Sequence, residues 1–161
     1  MDQICNNFQI LNNKYKTHYA LNLSGTSAEP YFMLARIIQI GNNCLVFDLR
    51  RKNKGNLSKK GVTILPPEME WFRKSLFTND NKIYTLEYNS RKLIIDKSIG
   101  DYVITMIKSD STKKQILMEK KDLDALGPHI GEIYDRFYVL ANECEIPTMY
   151  DETSYFRETV N

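Results

Sequence analysis

Lys59-Lys60-Gly61-Val62-Thr63-Ile64-Leu65-Pro66-Pro67-Glu68 holds the boundary on which the reading of the fold turns. Val62, Thr63 and Ile64 are β-branched and suit the end of a strand. Proline cannot donate to a ladder, but it fits a first helical turn, where no amide donor is needed. Glu68 then complements the positive end of the helix that follows. Met69, Phe72, Arg73 and Leu76 continue at helical spacing, and Thr78-Asn79-Asp80 ends the run. The segment therefore predicts a strand feeding a helix through a proline turn.

Upstream, strand patterns dominate. Lys16 to Leu23 alternates, and Tyr31 to Ile40 is rich in branched and aromatic residues. Gly41-Asn42-Asn43 is a hairpin signal, followed by Cys44 to Arg51, with Leu45, Phe47 and Leu49 on one face. The polar loop Lys52 to Leu57 leads into Ser58 to Ile64. Downstream the same order returns: Lys82 to Tyr88, Arg91 to Asp96, a turn at Gly100-Asp101, Tyr102 to Lys108, and Lys113 to Met118. From Asp122 the apolar spacing becomes helical through Leu126, Ile130, Ile133, Tyr134, Phe137 and Leu140, with a break at Gly127-Pro128 and an end near Asn142.

Lys113-Lys114-Gln115-Ile116-Leu117-Met118 repeats the lysine pair and strand of Lys59 to Ile64 at an offset of 54 residues. The preceding strands, Cys44 to Arg50 and Tyr102 to Lys108, correspond at an offset of 58, and a longer first hairpin loop absorbs the difference. Insertions belong in exposed loops. The expectation is an α+β fold of two ββββα repeats, residues 16–78 and 82–142, whose curved antiparallel sheets pair through their helices into one pseudo-twofold domain. Residues 1–15 form an N-terminal extension and 143–161 an acidic, aromatic C-terminal tail.

The 161 residues are 42% hydrophobic and 26% charged, enough for one compact domain. No run approaches the roughly 18 apolar residues of a membrane helix, and Met1-Asp2-Gln3 does not open a secretory signal. Cys5, Cys44 and Cys144 are too few for a disulfide framework and too dispersed for a zinc knuckle. A reducing, intracellular setting, nucleus or cytoplasm, is expected. Only His18 and His129 are present, at no spacing that suggests a metal or nucleophile site. Asp122-Leu123-Asp124 suits a helix dipole, and no phosphate-cradling glycine loop exists. The sequence predicts no enzyme, no metal and no cofactor.

Charge is uneven. Residues 143–161 carry five acids against Arg157, a net −4, so the remainder carries +6. The basic residues fall on or beside strands: Arg36, Arg50, Arg51, Lys52, Lys54, Lys59 and Lys60 in the first half, and Arg91, Lys92, Lys97, Lys108, Lys113 and Lys114 in the second. Tyr102 shares a strand face with Lys108, and Tyr84 shares one with Tyr88. Cations that neutralise phosphates, interleaved with rings that stack on unpaired bases, suit single-stranded nucleic acid. The tail, with Tyr150, Tyr155 and Phe156 among its acids, would imitate that ligand and compete for the basic sheet.

The segment from Lys59 to Glu68, with its basic pair, glycine, alternating aliphatics and proline-led helix, resembles the transcriptional coactivator family known as positive cofactor four. Cys44 to Arg50 is similar to that family's aliphatic-Asp-aliphatic-Arg strand. Two copies in one chain resemble the related Pur-alpha repeats. The resemblance implies paired curved sheets that hold single-stranded DNA, or unpaired duplex regions, with little sequence preference. It carries the basic pair onto Lys59-Lys60 and the strand arginine onto Arg50, with Lys113-Lys114 and Lys108 as second-copy equivalents. The family's helix tryptophan would fall on Met69, whereas Trp71 stands two positions later, and Gln115 replaces Gly61 in the second copy.

The expected function is therefore non-catalytic binding of single-stranded DNA, in preference to RNA, in transcription, replication or strand protection. Transcription or replication proteins are expected partners through the tail, and a second copy of the chain is a further one. The rival expectation is a protein-interaction or scaffold module whose basic residues serve only solubility.

Overall fold

The computed structural model describes residues 15–23, 31–53, 56–149 and 155–161, and of Tyr31, Phe32, Asn53, Asn56 and Lys60 the backbone alone. Lys54, the N-terminal extension before Tyr15, and Tyr150 lie outside the described residues. The fold is α+β with two antiparallel sheets.

The first sheet is a meander of β1 (Tyr15–Asn22), β2 (Tyr31–Ile40), β3 (Cys44–Asn53) and β4 (Asn56–Ile64). Gly41, at φ +60°, makes the β2–β3 turn that the sequence signals, so Ile40 faces Cys44 and Tyr31 faces Asn53. Pro66–Glu68 forms a 3-10 turn that runs into α1 (Met69–Phe77). The second sheet comprises β5 (Ile83–Tyr88), β6 (Arg91–Asp96), β7 (Tyr102–Ile107) and β8 (Lys113–Met118). After β8 come α2 (Lys120–Leu126), a 3-10 turn at Gly127–His129, and α3 (Ile130–Glu143). The break falls where Pro128 withholds a backbone donor.

The end of the acidic, aromatic tail packs on the body as a strand. Phe156–Val160 forms β9, antiparallel to β5, and the second sheet runs β8-β7-β6-β5-β9. Ile83 and Asn161 exchange backbone hydrogen bonds of 3.0 and 2.9 Å, closing the ladder at the chain end.

One buried cluster joins both sheets and the three helices among the described residues. The first sheet contributes Met33, Ala35, Ile37, Leu45, Phe47, Leu49, Val62 and Ile64; the second contributes Leu86, Leu93, Ile95, Ile104, Met106, Ile116 and Met118. Between them sit Phe72 and Leu76 of α1, Leu126 of α2, and Ile133 and Phe137 of α3. Phe72 meets Phe47 edge to face, with centroids 6.1 Å apart, a favoured aromatic geometry.

The two sheets differ on their other faces. That of the first sheet is buried too: Ile38, Ile40, Cys44, Val46 and Leu65 cluster there against Tyr15 and Tyr88. Cys44 is disulfide-bonded and Cys144 is free. The second sheet keeps an open face, where Lys113, Gln115 and Leu117 are exposed and Val103, Ile107, Ile94 and Thr85 half-buried. No helix among the described residues is long and apolar enough to cross a membrane.

Candidate nucleic-acid interface

The strand arginines are not on outward surfaces, which corrects their expected placement. Arg36 and Arg50 lie on the second, buried face of the first sheet, with Asp48 between them. Asp48 Oδ2 accepts from Arg36 Nε at 2.8 Å, and Oδ1 accepts from Arg50 Nη2 at 3.1 Å. Arg50 Nη1 also donates to the Ser58 carbonyl at 2.9 Å. Gly61 faces Arg50 across the β3–β4 ladder, and a Cβ there would stand 2.8 Å from the guanidinium carbon. A side chain at this point would have to displace the Arg50 guanidinium, which a glycine leaves in place.

Arg91 is likewise buried. Its Nε lies 2.9 Å from Glu68 Oε2, and its Nη2 donates to the Thr63 carbonyl. Lys97 is buried at the end of α1, where its Nζ donates to the Ser75 and Thr78 carbonyls at 2.7 Å each and pairs with Asp80 at 2.9 Å. Capping the last carbonyls of a helix is a structural use of lysine. Charges this buried are paired because an unpaired one would cost several kcal/mol, so their positions answer to folding.

The lysines converge elsewhere. β4 and β8 are edge strands of their sheets and lie against each other. Arg51 Nη2 donates to the Leu117 carbonyl at 2.5 Å, and Lys114 Nζ lies 3.5 Å from the Lys59 carbonyl. Lys59 is exposed at this seam and Lys113 on the open face of the second sheet; Lys108 and Lys114 are half-buried. Burial, then the neighbouring Lys108 and Arg50, lower the pKa of Lys114 to about 8 against a counter-pull from Asp48. Lys108 is lowered chiefly by burial, with Arg91 and Arg50 adding to the effect and Asp110 opposing it. Each basic pair named by the sequence thus brings a lysine to one seam, although of Lys60 only the backbone on β4 is described. Lys52 lies apart from it in register, opposite Phe32 and Leu57.

The open face of the second sheet supplies the other half of the candidate surface. Register places Arg157, Glu87, Lys92, Ile107 and Lys113 in one row across β9, β5, β6, β7 and β8. At the usual strand spacing the row spans about 19 Å. The next row reads Thr159, Thr85, Ile94, Thr105 and Gln115, with Gln115 Nε2 donating to Thr105 Oγ1 at 2.9 Å. Lys92 pairs with Glu87 at 3.4 Å.

Tyr102 corrects another expectation. It pairs with Met118 and packs half-buried against the main core, on the covered side of the sheet. Tyr84 and Tyr88 also lie on that side: Tyr84 donates to Asp80 and sits under Lys97, 4.5 Å from its centroid. The ring that does reach the open side is Tyr155, whose hydroxyl donates to Glu87 Oε2 at 3.3 Å. Charge counting groups Tyr155 and Arg157 with the acidic tail, because it sees composition and not pairing. The alternation of Tyr155, Arg157 and Thr159 was the available signal. The expected competition of the tail for the basic sheet has no support in this geometry, since β9 occupies the sheet edge opposite β8.

No protein-family model matches the chain, and no curated protein matches it.

Proposed function

We propose that the chain is a non-catalytic single-stranded nucleic-acid-binding protein, with DNA favoured over RNA, that acts in transcription, replication or strand protection. The observation that carries the reading is the closeness of Lys59, Lys108 and Lys114 where β4 meets β8, with Lys113 of the same strand on the sheet face left open to a ligand. Crowded ammonium groups repel one another, and a phosphate backbone relieves that repulsion while releasing its own counterions. The reading keeps the resemblance to the positive cofactor four and Pur-alpha families, and with it two ββββα repeats derived from one duplication. In its support, each half of the chain orders four antiparallel strands before a helix.

Fluorescence anisotropy with a labelled single strand of about 20 nucleotides tests it. Binding weakens steeply between about 50 and 200 mM salt, and the double variant Lys59→Glu, Lys60→Glu loses most of it. Full affinity in that variant at low salt removes the seam from the reading.

A protein-interaction module is the second reading. A groove of about 320 Å³ between α1, α3 and β9 is lined by Pro67, Trp71, Tyr138, Met149 and Phe156, and Met149 is 79% exposed. Absence of oligonucleotide binding at low salt would favour it.

A further inference from the structure

Beside Tyr155 the open face dips into a recess of about 270 Å³, bounded by Glu87, Ser90, Arg91, Lys92 and the tyrosine itself. We infer that this recess receives one unpaired base, stacked on Tyr155, and that it makes the protein select single strands over duplex; the inference rests on the proposed nucleic-acid binding.

Tyr155 is fixed at three points. Its backbone nitrogen donates to Asn89 Oδ1 at 2.9 Å, its carbonyl accepts from the Asn89 amide at 2.9 Å, and its hydroxyl holds Glu87. The residue is nonetheless 55% exposed. A ring held in place but uncovered loses little conformational entropy when a base stacks on it. On the rim, Asn89 and Ser90 are the two residues of the β5–β6 hairpin turn, with φ of +47° and +67° as a two-residue turn of this kind requires.

The lining matches a nucleobase edge. Glu87 engages Lys92 through Oε1 and Tyr155 through Oε2, leaving lone pairs for an exocyclic amino group. Lys92 donates to a ring nitrogen or carbonyl, and the Ser90 hydroxyl can do either. Arg157 faces Glu87 from β9 and continues the row of cations on which the flanking phosphates would lie. A base inside a duplex keeps both its faces stacked, so only an unpaired one can enter.

Anisotropy with a labelled oligodeoxycytidylate of about 20 residues and with a duplex of the same length, at about 50 mM salt, decides the matter. Tyr155→Ala weakens single-strand binding about tenfold, the loss of one stacked base. Tyr155→Phe, which keeps the ring and drops the hydroxyl, stays within about threefold of wild type. Duplex affinity is unchanged in both. Tyr155→Leu, which keeps an apolar side chain without a π-face, follows the alanine variant and controls for loss of packing on β9. Wild-type affinity in Tyr155→Ala, or an equal loss for single strand and duplex, overturns the inference while the proposed function stands. Failure of the wild-type protein to bind either oligonucleotide overturns both.

Discussion

Glu68 and Asp122, 54 residues apart, hold the same position. Each is the third residue of the turn that follows a fourth strand. The Leu65 amide donates to Glu68 Oε1 at 2.8 Å, and the Glu119 amide donates to Asp122 Oδ2 at 3.0 Å. The spacing is the one that relates Lys59 to Lys113. The two carboxylates differ in their second oxygens. Glu68 Oε2 takes Arg91, whereas Asp122 Oδ1 finds no partner among the described residues.

That difference separates two substitutions that look equivalent in sequence. Glu68→Gln leaves Arg91 buried without a counter-charge and costs about 3–5 kcal/mol. Asp122→Ala removes a cap, at about 1 kcal/mol, together with an oxygen that contributes no bond. Urea unfolding of the two variants measures the gap; equal losses would mean that the Glu68–Arg91 pair contributes nothing beyond the cap.

Asp48 gives a second test. Asp48→Asn leaves Arg36 and Arg50 facing each other in an interior with no carboxylate, and destabilises by about 3–5 kcal/mol. Gly61→Ala pushes a methyl onto the Arg50 guanidinium and costs about 1–3 kcal/mol. Because the contact belongs to Arg50, combining Gly61→Ala with Arg50→Ala costs less than the sum of the two alone. Additive losses would show that Gly61 is constrained by something other than the arginine.

The sequence carries more of this triad than its charges suggest. Once Gly41-Asn42-Asn43 is taken as the turn, Ile40 must face Cys44, and counting outward puts Arg36 opposite Asp48. An arginine beside an aspartate in a row of Leu, Ile and Val is an interior pair; read one at a time, both look like surface charges. Strand limits such as Arg91–Asp96 and Lys113–Met118 were legible because turn residues bracket them. β9 was not. Its five residues alternate weakly, four of them are exposed, and their partner is β5, about 70 positions earlier. Local pattern cannot encode a pairing that distant chain elements decide. Tyr155 was missed for the same reason.

Lys114 makes the seam sensitive to pH. Its pKa falls to about 8 in the folded chain from an ordinary 10.5. Between those values the unfolded chain binds more protons, so stability rises with pH across that window. Lys114→Met, which deletes the charge and keeps the stem, therefore stabilises at pH 7, and its advantage fades by about pH 10.5. Burial sets the largest part of the shift, and the charges that add to it are Lys108 and Arg50, opposed by Asp48. A phosphate placed among them draws the proton back, so oligonucleotide binding near pH 8 takes up protons. Calorimetry in buffers of different ionisation enthalpy reads this directly; no buffer dependence would place the phosphates away from Lys114.

Removing residues 144–161, and with them four of the five acids of the tail, distinguishes two opposite roles for the C-terminus. If the acids imitate nucleic acid, truncation frees the basic surface and tightens binding. The register argues for the reverse. Tyr155 and Arg157 lie on the open side, while Phe156 and Glu158 point to the opposite side and line the groove against α1 and α3. Truncation thus removes a ring and a cation from the ligand side, uncovers the β5 edge, and weakens single-strand binding by about tenfold or more. An exposed edge also invites association, so affinity is read at low protein concentration with mass measured alongside. Glu158→Gln provides the independent check. Mimicry requires it to tighten binding, whereas a carboxylate on the far side of the sheet leaves affinity unchanged. Tighter binding in both variants would return the tail to its inhibitory reading and take Tyr155 out of the interface.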